Sequence, residues 1–191
     1  KEKIIWFHAV SLGEVIGSQD FIKELLKDFD VVLTTSTPTG LRKASELFKD
    51  SVAINYVPFD LNILIKKFLD FYNPDALLIF ETEIWPSMIS ASRKKNIPVF
   101  LINGRLSKKS FQAYLMTSWI IKSILLKITF VFVQSEKHQE RFIKLGVNKE
   151  NIKISGSVKV GRPLKSSSEY KRIHTPDEIR PQRPDRWLAL A

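Results

Sequence analysis

The chain has 191 residues, 44 % of them apolar, enough to bury a core and form one large domain or one and a half. It contains no cysteine, which excludes a disulfide framework and thiolate metal sites, and its three histidines, His8, His138 and His174, show no ligand spacing. A net charge of +10 calls for an anionic partner: nucleic acid, an acidic membrane surface or a phosphorylated substrate. The longest apolar stretch, residues 119–133, carries Lys122 and Lys127 and is too short to span a bilayer. No signal peptide is visible, and Lys1-Glu-Lys leads at once into a strand, so the natural protein is expected to begin earlier.

The apolar run Ile4-Ile-Trp-Phe7 reads as a first strand, followed by His8-Ala-Val-Ser-Leu-Gly-Glu14-Val-Ile-Gly17. A strand that breaks into small residues and restarts as a helix places Ser11, Gly13 and Glu14 where open α/β sheets hold their ligands. Glu14 falls in the first helical turn, whose positive end favours an ionised carboxylate able to take a proton from a hydroxyl. The alternative is a first-turn acid that only stabilises its helix.

Residues 18–29 have helical spacing, with Phe21, Ile22, Leu25 and Leu26 on one face, and 31–33 form a second strand. The turn Thr35-Ser-Thr-Pro-Thr-Gly40 opens the next helix, to Phe48. Its hydroxyls and backbone N–H groups, at Ser36, Thr37, Thr39 and Gly40, suit either an anion or a plain helix cap. A third strand at 52–56 leads to Pro58-Phe-Asp60, which is expected to cap a helix to Phe71 with Leu61, Leu64, Ile65 and Phe68 inward.

Residues 75–80 form a fourth strand, a nearly continuous apolar run as in a parallel sheet covered on both faces. It ends in Glu81-Thr-Glu83-Ile-Trp-Pro86. Two carboxylates and a tryptophan there contribute little to stability but could grip a sugar or position a base. A helix at 87–95 and a fifth strand at 97–102 follow, then Asn103-Gly-Arg105, where the arginine fork could bind carboxylate or phosphate. Residues 108–127 read as one long helix that is apolar on much of its circumference, either deep in the core or partly facing a membrane between basic flanks.

A sixth strand at 128–133, a helix capped by Gln134-Ser135 and ended at Gly146, and a seventh strand at 152–154 lead to Gly156-Ser-Val-Lys159. The strand–helix unit recurs about every 22 to 25 residues, as βα units do. The expected architecture is a Rossmann-like, mostly parallel α/β sheet with helices on both faces over residues 1–160. Residues 161–186 read as linker or crossover, and 187–191 as the first strand of a truncated domain.

The four motifs at successive strand ends, in this order and spacing, closely resemble the N-terminal half of the 3-deoxy-D-manno-octulosonic acid (Kdo) transferases, over roughly residues 4 to 160. The resemblance implies a GT-B glycosyltransferase of lipopolysaccharide synthesis, inverting and metal-independent, that uses no cofactor. It moves Kdo from CMP-Kdo to a lipid A precursor at the cytoplasmic face of the inner membrane, as a peripheral or anchored protein. It makes Glu14 the general base, turns Ser36, Thr37, Thr39 and Gly40 toward the acceptor, and brings Glu81 near Glu14. It leaves Arg105 and Lys159 to meet a phosphate or the Kdo carboxylate. The partners implied are the lipid A precursor, an anionic membrane surface and the missing C-terminal, CMP-Kdo-binding domain, with no nucleic acid. Two departures stand out: Val160-Gly161 replaces the family's aromatic and aspartate after Lys159, and most of the donor-binding half lies beyond this sequence. The chain is therefore expected to bind acceptor without catalysing transfer by itself.

Other classes fit less well. A nicotinamide or flavin enzyme would carry the full glycine fingerprint and an acid after the second strand, where this chain has Thr34-Thr35. A non-catalytic module for anionic lipid or nucleic acid is favoured by charge alone, without interleaved aromatics for base stacking.

Overall fold

The computed structural model describes residues 3–157. Lys159, the linker and the segment 187–191 lie outside them. In chain order the elements are β1 (Ile4–His8), α1 (Leu12–Gly17), α2 (Gln19–Asp28), β2 (Asp30–Thr35), α3 (Pro38–Phe48), β3 (Ala53–Tyr56), α4 (Asn62–Tyr72) and β4 (Ala76–Phe80). They continue with α5 (Pro86–Lys94), β5 (Val99–Gly104), α6 (Lys108–Met116), α7 (Ser118–Leu125), β6 (Phe130–Val133), α8 (Glu136–Lys144) and β7 (Ile152–Ile154).

All seven strands are parallel, in the order β3-β2-β1-β4-β5-β6-β7. The winding reverses between β1 and β4, so the chains leaving these two neighbours diverge and open a crevice at the C-terminal edge of the sheet. Strand alternation divides the core into two layers. Trp6, Leu77, Ile79, Val99, Leu101, Val131 and Val133 face α4, α5, α7 and α8. Ile5, Phe7, Leu33, Leu78, Phe80, Phe100 and Phe132 face α1, α2 and α3 on the other side. Because β4 is buried at every position, its side chains read as a continuous apolar run.

Several expectations change. Residues 12–28 form two helices joined at Ser18, whose hydroxyl donates to the Glu14 carbonyl at 2.7 Å and helps finish α1. Asp60 does not cap α4; its carboxylate accepts from the backbone N–H of Ser87 (3.1 Å) and Met88 (2.8 Å), so it caps α5 from a neighbouring loop. Leu61 precedes α4 and is exposed, while Ile65 and Leu69 carry that helix into the core.

The long helix expected over 108–127 breaks at Thr117, whose N–H reaches back only to Tyr114 at 3.3 Å. The break lets α7 bury Ile121, Ile124 and Leu125 against the sheet, whereas α6 buries no residue fully. The deep-core reading of this stretch is therefore corrected: Met116 is 87 % and Trp119 78 % exposed.

Candidate active site

Glu14 stands at the mouth of the β1/β4 crevice, held by the local chemistry of Ser11-Leu-Gly-Glu14. Ser11 caps α1 by accepting from the Glu14 N–H at 3.4 Å, and its hydroxyl donates to the Glu14 carboxylate at 3.1 Å. The other carboxylate oxygen accepts from the Val10 N–H at 2.9 Å. Ser followed three residues later by Glu has the spacing of a capping box, but here the carboxylate reaches past the N-cap to the N–H of Val10. Gly13 is exposed, and a Cβ there would meet only the Ser11 hydroxyl, at 3.9 Å, which leaves the approach to Glu14 open.

Burial pushes the Glu14 carboxyl up to about 7, against the pull of the Val10 N–H; the negative charges of Glu81 and Glu83 add to the rise, and the Ser11 hydroxyl opposes it. The helix end was expected to favour the ionised form, but desolvation and two neighbouring acids outweigh it. A carboxyl poised near neutrality can both take and hold a proton at cellular pH.

The exits of β4 and β5 are tied together. Thr82 donates to the Arg105 carbonyl at 2.6 Å and accepts from the Arg105 N–H at 2.9 Å, and the Arg105 guanidinium pairs with Glu81 at 3.4 Å. Glu81, the residue after β4, and Asn103, the next to last residue of β5, adopt left-handed backbone with φ of 61° and 56°. Non-glycine residues hold such conformations at a cost of order 1 kcal/mol or more, and they cluster at functional sites. Glu83 lies half-buried, its carboxyl raised by burial and by Glu81, and opposed by the Trp85 indole, whose N–H makes no full hydrogen bond. Tyr114 of α6 sits close enough to Glu83 for that charge, after burial, to raise its hydroxyl. The place of Tyr114 beside the acids emerges only from the fold.

At the β2 exit, the N–H of Ser36 and the hydroxyl of Thr35 both donate to the Val10 carbonyl, at 3.0 and 2.9 Å, which binds this loop to the loop carrying Glu14. Thr37 caps α3 through the Gly40 N–H at 3.1 Å, and the Thr39 hydroxyl reaches Thr37 at 3.5 Å. Ser36 and Thr39 are exposed; Gly40 is buried, so its missing side chain serves packing. His8, the first residue of the motif, is buried, bonded through Nδ1 to the Thr34 hydroxyl at 2.9 Å and edge-on to Trp85 at 5.3 Å. Burial drives its imidazole down to about 4, so it stays neutral beneath the site. The fold thus gathers Ser11, Gly13, Glu14, Ser36, Thr37, Thr39, Glu81 and Arg105 along one sheet edge.

The family model described as 3-deoxy-D-manno-octulosonic-acid transferase (kdotransferase) matches residues 1–162. The chain belongs to this Kdo transferase family. Among curated relatives, the Haemophilus influenzae 3-deoxy-D-manno-octulosonic acid transferase is 34 % identical over 158 residues, covering 81 % of this chain and 37 % of that protein. A bifunctional glycosyltransferase/methyltransferase of Fusobacterium nucleatum is 31 % identical over 175 residues, 90 % of this chain and 27 % of its own length. The chain thus spans about a third of these relatives. In fold it is similar to the UDP-GlcNAc 2-epimerase of Neisseria meningitidis (TM-score 0.60, 16 % identity) and to MurG of Acinetobacter baumannii (TM-score 0.55, 14 % identity). Each match covers 82 % or 81 % of this chain and 47 % or 45 % of the neighbour, so this member of the Kdo transferase family corresponds in extent to one half of a GT-B protein.

Proposed function

We propose that this chain is the acceptor-binding half of an inverting, metal-independent Kdo transferase that moves Kdo from CMP-Kdo to a hydroxyl of a lipid A precursor. The observation that carries the reading is Glu14: an accessible carboxyl at the switch point of the sheet, raised to about 7 and oriented by the Val10 N–H and the Ser11 hydroxyl. In this reading ionised Glu14 takes the proton of the acceptor hydroxyl as its oxygen attacks the anomeric carbon. The bond to the CMP oxygen breaks on the opposite face, and its electron pair leaves with CMP, already a good leaving group. Glu81 lies near enough to Glu14 for its charge to be felt and would stabilise the positive charge that develops on the sugar.

Ser11, Gly13, Ser36, Thr37 and Thr39 border the path to Glu14 and would face the acceptor, with Gly40 beneath them. Arg105 would hold an anionic group of a substrate, and Lys159 would join it. The missing half of the enzyme supplies the CMP-Kdo site. An acceptor anchored in a membrane calls for a peripheral position at the cytoplasmic face of the inner membrane. The exposed Met116, Trp119 and Leu126, flanked by Lys108, Lys109, Lys122 and Lys127, suit an anionic lipid surface. Among the described residues no helix is long and apolar enough to cross a membrane.

The test is Kdo transfer by the enzyme completed with its C-terminal half. Glu14→Gln keeps the capping contacts and should lower kcat by roughly 10²–10⁴-fold, the worth of a general base, with acceptor binding retained. Full activity in Glu14→Gln would remove Glu14 from the mechanism.

A further inference from the structure

Leu106 follows Arg105 and is fully buried, and two side chains of α8 hold its backbone. Its N–H donates to His138 Nδ1 at 3.1 Å, and its carbonyl accepts from the Arg141 guanidinium. Thr82 holds the N–H and carbonyl of Arg105 itself. The backbone of residues 105–106 is thereby fixed from both neighbouring elements, and the Arg105 side chain, 61 % exposed, projects from a rigid mount. His138 Nδ1 lies 3.1 Å from both the N–H and the carbonyl oxygen of Leu106, so the ring is seated against this backbone in either tautomer, beside the Arg141 guanidinium.

Arg105, Lys137 and Arg141 crowd this imidazole closely enough that, after burial, their charges disfavour a further positive charge on it. Gathering like charges costs free energy unless an anion offsets it. Glu81 meets Arg105 at 3.4 Å; the acids of α8, Glu136 and Glu140, are exposed one helical step round from Lys137 and Arg141.

We propose that Arg105, Lys137, His138 and Arg141 form a phosphate subsite at the exits of β5 and β6, which takes a phosphate monoester of a substrate. Three cations facing one carboxylate suit a dianion better than a monoanionic carboxylate, and guanidinium forks match phosphate oxygens. The subsite deepens the role proposed above for Arg105 and rests on it. Through the Arg105–Glu81 pair it adjoins Glu14, so a phosphate seated there would fix how far the rest of the substrate reaches toward the base.

The ¹⁵N-labelled chain is titrated, by NMR, with glucosamine 1-phosphate, inorganic phosphate, acetate and chloride at constant ionic strength. Expected are saturable shifts at the Arg105 and His138 side chains with both phosphates, and none with acetate or chloride beyond a common salt effect. Lys137→Gln and Arg105→Gln, both at exposed positions, should each weaken binding by about tenfold. Tighter binding of the sugar phosphate assigns the site to substrate; equal affinities assign it to free phosphate, and either supports a phosphate subsite. Shifts that never saturate, that acetate reproduces, or that survive both substitutions overturn it. Loss of transfer in Glu14→Gln alongside any of these would leave the base standing and remove only the subsite.

Discussion

A carboxyl that shares a crevice with two others loses its proton reluctantly, and Glu14 sits in that position by virtue of Glu81 and Glu83. Burial is the largest cause of its rise to about 7, and the neighbours add to it. Glu83→Gln removes one negative charge while keeping the side chain's size, so ionisation of Glu14 becomes easier and its pKa falls back toward the ordinary carboxylate range. At pH 6 more Glu14 is then ionised. The acid limb of kcat/KM for the completed enzyme is expected to move to lower pH in this variant, measured from pH 5 to 9. An unmoved or raised limb would show that Glu83 does not act on the base. The same residue scale explains why His8 is no rival: its ring is neutral and buried against Thr34 and Trp85, with no path to a hydroxyl.

Between elements, the approach of α1 to α3 sets the width of the site's near wall. A Cβ at Gly40 would lie 2.5 Å from the Thr35 hydroxyl, 2.8 Å from the Thr37 hydroxyl and 3.4 Å from the Leu12 backbone N. Both hydroxyls are already engaged, Thr35 with the Val10 carbonyl and Thr37 with the Gly40 N–H, so neither can swing away freely. Alanine favours a helix over glycine by about 1 kcal/mol, but overpacking commonly costs about 1–3 kcal/mol. Gly40→Ala is therefore expected to be destabilising in urea unfolding, with weaker acceptor binding as Ser36 and Thr39 shift. A stabilised variant would mean that this wall is looser than the contacts show. The far wall is set differently: Asp60, from the loop before α4, caps α5 directly after Trp85 and so fixes where the Glu81–Trp85 segment ends.

Over the whole molecule, apolar surface and positive charge coincide on α6 and α7, while Glu14, Glu81 and Glu83 concentrate negative charge at the exits of β1 and β4. The +10 charge would draw the chain to an anionic bilayer, and Trp119 and Met116 would enter its interface. Trp119→Glu should reduce sedimentation with anionic vesicles by roughly tenfold or more, given the area of a buried indole. Its unfolding free energy should stay within about 0.5 kcal/mol, as expected for an exposed site. Equal binding of the variant, or binding that ignores lipid charge, would place the membrane contact elsewhere.

Local pattern was enough to read seven strands, the placing of four motifs at their ends and the candidacy of Glu14, because apolar runs, strand-to-helix breaks and capping residues act over a few neighbours. Ile4-Ile-Trp-Phe7 and the nearly all-apolar stretch of β4 read as strands, and a mostly parallel sheet followed from the recurring helix between strands, while the strand order came from the fold. The tertiary structure decided what depends on residues distant in sequence. It set the protonation of Glu14, since desolvation and the charges of Glu81 and Glu83 come from another strand's exit. It moved the Asp60 cap from α4 to α5, a choice between two nearby helix ends that sequence adjacency cannot make. It broke the 108–127 helix at Thr117, so that α7 packs on the sheet while α6 buries no residue fully, which brings Tyr114 to Glu83 and leaves Trp119 in solvent. The grip of His138 and Arg141 on Leu106 spans more than thirty residues of chain, so packing alone assembles it.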